Sequence, residues 1–142
     1  MNVHQVIELS GLSRAQIDLL ISRHGYTPQG NVVGRGRQYA PVDAFTLKLI
    51  AVLLEHGFSN DHAVQATSFP VLQDSLGPAE LYPLREQREA EGQRSFFVIS
   101  ADAREHDFVN EARLMRMFRD GRVSWLVVDV AAIAKQIDHA DA

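Results

Sequence analysis

The stretch that decides the fold is Ser10-Gly11-Leu12-Ser13-Arg14-Ala15-Gln16-Ile17-Asp18-Leu19-Leu20-Ile21-Ser22-Arg23-His24-Gly25. Ser13 is a good N-cap, because its hydroxyl accepts from an amide that opens the next turn. A helix then runs from about Arg14 to about His24 and buries Ile17, Leu20 and Ile21 on one side. Gly25 ends it as a helix-terminating glycine. Upstream, Val3, Val6 and Ile7 recur at helical spacing, and Ser10-Gly11 stops that first helix. Two short helices joined by a tight Ser-Gly-Leu-Ser turn form a helix-turn-helix pattern.

Downstream, residues 27–39 (Thr-Pro-Gln-Gly-Asn-Val-Val-Gly-Arg-Gly-Arg-Gln-Tyr) carry three glycines, a proline and an asparagine, which prevent a helix. The segment reads as an irregular hairpin with Val32-Val33 and Gln38-Tyr39 as its strands. Pro41, at a first-turn position, opens a third helix that continues to about His56. Between Ala44 and Leu54 only Thr46 and Lys48 are polar. A helix apolar nearly all round is buried on more than one side. Ser59 caps a fourth helix lasting to about Thr67.

Phe69-Pro70 marks a boundary, and three prolines followed by a charged stretch fill 70–94. Ser95–Ser100 reads as a strand, Phe108–Arg119 as a helix anchored by Phe108, Leu114, Met115 and Phe118, Val123–Val130 as a buried strand, and Ala131–Ile137 as a last short helix. The expected organisation is α+β: a winged helix-turn-helix at 1–68, a linker at 69–94, and a small α/β module at 95–142 for dimerisation or partner binding.

Composition narrows the function. The 142 residues are 46% hydrophobic and 23% charged, as in a globular protein. With no cysteine, disulfides, thiolate metal sites and cysteine nucleophiles are excluded. Met1-Asn2-Val3-His4-Gln5 lacks the pattern of a signal peptide, and no apolar run has the roughly 18 residues a membrane span needs. A cytoplasmic location without membrane association is expected. The net charge of −4 sits in the second half. Residues 1–68 balance Arg14, Arg23, Arg35, Arg37 and Lys48 against Glu8, Asp18, Asp43, Glu55 and Asp61. A neutral domain can still bind DNA if its arginines share one face.

The first 60 or so residues resemble the DNA-binding domain of the MerR family. The resemblance rests on Gly11-Leu12-Ser13 at the turn, His24-Gly25-Tyr26 and Pro28 before the hairpin, and Arg37-Gln38-Tyr39 leaving it. Pro41-Val42-Asp43 opening a long helix and Glu55-His56-Gly57-Phe58-Ser59 closing it complete the series. It implies a homodimer on palindromic double-stranded DNA, with the second helix in the major groove and the hairpin acting as a wing on the backbone. Two departures stand out. Asp18 and Leu19 occupy mid-helix places where the family commonly carries arginine and tyrosine, and the family's long dimerisation helix after helix four is missing.

The candidate DNA contacts are Arg14 and Gln16 for bases, Arg23 on the same helix, Arg35 and Arg37 on the glycine-flanked hairpin for phosphate, and Tyr39, whose ring is expected to pack beneath it. Arg113, Arg116 and Arg119 read as a solvated face paired with nearby acids, and Asp102, Glu105 and Asp107 as a solvated loop. The six histidines show no close metal-ligand pair. No phosphate loop, hydrolase elbow or kinase motif is present, so neither an enzyme nor a cofactor is expected.

The leading reading is a sequence-specific transcriptional regulator, with an excisionase-like architectural protein as its close variant. The rival class is a protein-interaction adaptor that has lost DNA binding. A third reading is a sensor with a pocket lined by Phe69, Pro70, Pro78, Tyr82 and Pro83. Two dense strands, 96–99 and 125–128, and an over-apolar third helix leave more surface than the predicted elements cover. A homodimer through the C-terminal halves and third helices absorbs it; so does mutual coverage within one chain. The C-terminal module is also the expected site of any protein partner.

Overall fold

The computed structural model describes residues 1–30, 32–33, 36–68, 95–120 and 125–141. The expected linker at 69–94, the five residues of the sensor reading, Arg35 and Val123 lie outside the described residues.

Four helices build the first half: α1 (Val3–Ser10), α2 (Arg14–Arg23), α3 (Pro41–Glu55) and α4 (Asn60–Thr67), with a short hairpin β1 (Val32–Val33) and β2 (Gly36–Arg37) between α2 and α3. Local chemistry sets the boundaries. Asn2 and Gln5 exchange side-chain and backbone bonds across the first turn of α1, and Ser13 and Gln16 do the same for α2. Gly11 takes φ 77°, a left-handed conformation that lets its amide close on the Ile7 carbonyl at 2.9 Å and turns the chain into α2. Pro41 sits at the start of α3, and Ser59 caps α4 through the His62 amide.

The hairpin strands differ from expectation. Val33 pairs with Gly36 and Val32 with Arg37, so the second strand lies two residues earlier than Gln38-Tyr39. Tyr39 pairs elsewhere. Its amide donates to the Met1 carbonyl at 2.7 Å, which ties the exit of the hairpin to the segment before α1. Gly30 lies at the base of this crossing, where an added Cβ would stand 1.7 Å from the Gln38 carbonyl oxygen. Only glycine fits so close an approach.

Among the described residues, the second half is a sheet with two helices: β3 (Ser95–Ser100), β4 (His106–Asn110), α5 (Glu111–Arg119), β5 (Trp125–Asp129) and α6 (Val130–Asp141). The strands are antiparallel in the order β4-β3-β5. Three strands stand where two were expected. The chain reverses at 100–105 because the Ser100 amide bonds the Glu105 carbonyl and the Ser100 hydroxyl bonds Asp102 at 2.7 Å. It then returns as β4, pairing Phe97 with Phe108 and Ile99 with His106. Phe108 is therefore a strand residue. Its ring meets that of Phe97 edge-on, with centroids 5.2 Å apart. Asn110 caps α5 through the Arg113 amide, which places the helix start at Glu111.

One hydrophobic cluster joins the two halves. It runs from Val6, Ile17 and Leu20 through Phe45, Leu49, Ile50 and Leu53 to Phe97, Ile99, Ile133 and Ile137. α3 touches α1, α4 and α6, and α6 also touches β3. The apolar excess of α3 is thus covered within the chain by α6. The other sheet face carries Val98, Val109 and Trp125 and, with Met117 of α5, lines a groove of about 520 Å³. Met115 and Phe118 are not the anchors expected of them: they are 52% and 51% exposed.

Candidate nucleic-acid interface

The hairpin and the helix-turn-helix are held together by one carboxylate. Asp43, at the third position of α3, is 1% exposed. Its Oδ1 accepts from the Tyr26 hydroxyl at 3.0 Å and the Gln29 amide at 2.8 Å, and its Oδ2 from the Gly30 amide at 2.9 Å and the Ala40 amide at 2.8 Å. These four donors come from both ends of the hairpin and from the segment after α2. They compensate the burial of the charge, aided by the positive end of α3. Sequence reasoning missed this residue as anything but a charge. The available signal was an acid two residues after a helix-opening proline, downstream of a glycine-rich loop.

Burial of Tyr26, with Asp43 beside it, raises its hydroxyl pKa well above the ordinary value of 10.0. Above pH 10 the unfolded chain therefore releases this proton while the folded chain retains it. Stability from this group is complete below about pH 10 and falls as pH rises toward the folded value. Tyr26→Phe should flatten that alkaline slope of unfolding free energy against pH. An unchanged slope would exclude Tyr26 as its source.

α2 and β2 enclose a groove of about 550 Å³, lined by Arg14, Asp18, Ile21 and Ser22 from the helix and by Gly36, Arg37, Gln38 and Tyr39 from the hairpin exit. Three expected contact residues, Arg14, Arg37 and Tyr39, are thus brought together. Arg14 is exposed and Arg37 half-buried. The Tyr39 ring is buried, as expected; burial raises its hydroxyl pKa, while the charge of Arg37 opposes the shift.

Gln16 and Arg23 lie elsewhere on α2, both exposed and about half a turn from Arg14. Gln16 also spends its amide oxygen on the Ser13 N–H at 2.8 Å. Between these two flanks the exposed face of α2 presents Ala15, Asp18, Leu19 and Ser22. At the far end of the helix, His24 is held against α4 by a 2.6 Å contact with Asp61.

The arginines of α5 behave as a solvated face where they are paired: Arg113 meets Asp107 at 2.8 Å. Among the described residues, no group of three or more His, Cys, Asp or Glu is placed to hold a metal ion. No described helix is long and apolar enough to cross a membrane.

A capped helix pair packed on a long third helix, with a basic hairpin beside the second helix, is the arrangement of the helix-turn-helix class of DNA-binding proteins. The particular family follows from comparison: residues 1–68 match the family model of the MerR HTH family regulatory protein, so the N-terminal half of this chain is a MerR-type helix-turn-helix domain. The match covers just under half of the chain, and the family it belongs to is one of DNA-binding regulators. No curated protein matches the chain.

Proposed function

We propose that the protein is a sequence-specific transcriptional regulator that binds operator DNA as a homodimer, with β1–β2 as its wing. The observation that carries this reading is the convergence of Arg14, Arg37 and Tyr39 on one groove between α2 and the hairpin. In this reading α2 enters the major groove, Arg14 and the free amide nitrogen of Gln16 reach base edges, and Arg23 lies at the opposite flank. Arg35 and Arg37 grip phosphate and set the register, and Tyr39 supports the hairpin from below. Residues 1–68 serve as the DNA-binding domain, 69–94 as the linker, and 95–142 as the assembly module, which is also where a protein partner docks. The protein works in the cytoplasm, without enzymatic activity or cofactor.

The test is titration of labelled DNA from upstream of its own gene at several salt concentrations. Arg37→Ala should weaken binding to every duplex and lower the salt slope by about one unit, as loss of one phosphate contact does. Arg14→Ala should cost roughly 1–3 kcal/mol at one base position and relax the preference there. Asp18→Arg should strengthen nonspecific binding, since the carboxylate faces the same groove as both arginines. Flat nonspecific affinity in Asp18→Arg would remove α2 from the groove.

One observation favours a second reading, an adaptor that keeps the fold without DNA. The middle of the exposed α2 face is Ala15, Asp18, Leu19 and Ser22, with Leu19 36% exposed and no cation among the four. Absence of salt-dependent binding to any duplex would select it.

A further inference from the structure

Ile17 and Leu20 are buried on the inner side of α2. At roughly 3.6 residues per turn, the opposite crest is formed by Ala15, Leu19 and Ser22, which fall within about 60° of one another. All three are exposed. Leu19 is the large apolar group of this crest, 36% exposed. Among the described residues it belongs neither to the hydrophobic cluster nor to the side chains packed against that cluster. Asp18 stands between the crest and the hairpin, in the groove that also holds Arg14 and Arg37. Arg14 lies one turn before Asp18 on the same helix, yet the two do not pair. Among the described residues the Asp18 carboxylate makes no ion pair and no hydrogen bond.

A carboxylate and a leucine are poor partners for phosphate, but each matches one feature of the major groove. A carboxylate only accepts hydrogen bonds, so it needs a donor on the base edge. Cytosine offers its N4 amino group with no acceptor beside it, whereas adenine sets N7 next to its amino group, and guanine and thymine present acceptors there. A leucine needs an apolar group, and the 5-methyl of thymine is the one that the four bases expose in that groove.

We infer that Asp18 and Leu19 determine base specificity: Asp18 accepts from the N4 amino group of a cytosine, and Leu19 covers the methyl group of a thymine. This inference rests on α2 entering the major groove, as proposed above, and names the bases it reads there. It divides the work of the helix. Arg14 and Arg37 supply attraction from the flank, and the uncharged crest with its neighbouring carboxylate supplies discrimination. The negative charge of Asp18 weakens binding to every duplex, and least where an amino donor meets it; a repulsive group selects in this way. The crest that lacks a cation is then a reading surface.

The test uses the full chain to select duplexes from a random-sequence pool. The selected duplex is then remade with single thymines replaced by uracil, which keeps the base pair, alters no atom of the protein and removes one methyl group. At one such thymine the wild type should bind about fourfold more weakly, the worth of one buried methyl group. Leu19→Ala should bind the thymine duplex more weakly and ignore that replacement. Asp18→Asn, whose amide pairs with both N6 and N7 of adenine, should move one selected position from cytosine to adenine. Both side chains are exposed, so both variants should keep the wild-type unfolding midpoint in urea. A duplex with no methyl-sensitive thymine, or an equal loss in Leu19→Ala, overturns the role of Leu19. An unchanged base preference in Asp18→Asn overturns that of Asp18. In both cases salt-dependent binding of the selected duplex leaves the regulator reading standing. A pool from which no duplex is enriched at low salt overturns the inference and the regulator reading together.

Discussion

Asp43→Ala should lose a large part of the protein's stability and free the hairpin from the helices. The substitution removes the acceptor of four hydrogen bonds at once. A buried donor left without a partner costs about 1–3 kcal/mol. The Tyr26 hydroxyl lies in the interior and pays in full, whereas the Gln29, Gly30 and Ala40 amides are partly reachable by water. A total of about 4 kcal/mol is expected, set against a usual stability of 5–15 kcal/mol. Urea unfolding should show it as a lower midpoint with an unchanged slope. Asp43→Asn should recover only part of the loss, because its NH2 group faces donors. DNA affinity should fall in both variants even at temperatures where they stay folded, since Arg37 loses its fixed place beside α2. A loss below about 1 kcal/mol, within the range of ordinary substitutions, would mean that the four donors find other partners and that Asp43 does not organise the interface.

Ile137→Asp should unfold the helix-turn-helix from the opposite end of the chain. Ile137 is 1% exposed, in the cluster that α6 shares with α3. Replacing it removes a large apolar side chain and places a carboxylate in an apolar site, together worth roughly 5 kcal/mol. Because α6 packs on α3, the loss should spread to the DNA-binding half. Hydrogen exchange read at the amides of α3 checks this directly. Protection there should collapse together with that of β3, whereas Gln136→Asp, on the exposed side of α6, should leave both unchanged. Persistent α3 protection in Ile137→Asp would show that the first half stands without the second.

Much of the first half was legible because its signals are short-ranged. The Ser13 cap, the turn at Gly11, Pro41 at the head of α3 and Ser59 before α4 each act within a few residues. Local order of this kind can be read directly from the chain, and the spacing of these signals also pointed to the MerR-type domain. The candidate interface was legible only in part. Arg14 and Arg37 stand out as cations, but nothing local places them across one groove from each other, with Asp18 between them.

The tertiary structure alone decided the long-range pairings. Strand β4 was hidden because five residues leading straight into a helix carry little period of their own; pairing with β3 makes them a strand. The hairpin register depended on Tyr39 finding Met1, a partner 38 positions away. Asp43 looked like any acid near a helix start until Tyr26, Gln29, Gly30 and Ala40 were brought around it. The apolar excess of α3 was visible in sequence, but whether a second copy or α6 covers it depends on chain packing. Helix caps are fixed by neighbours within one turn, whereas burial and strand pairing are fixed by segments far apart, and a one-dimensional pattern carries the first and not the second.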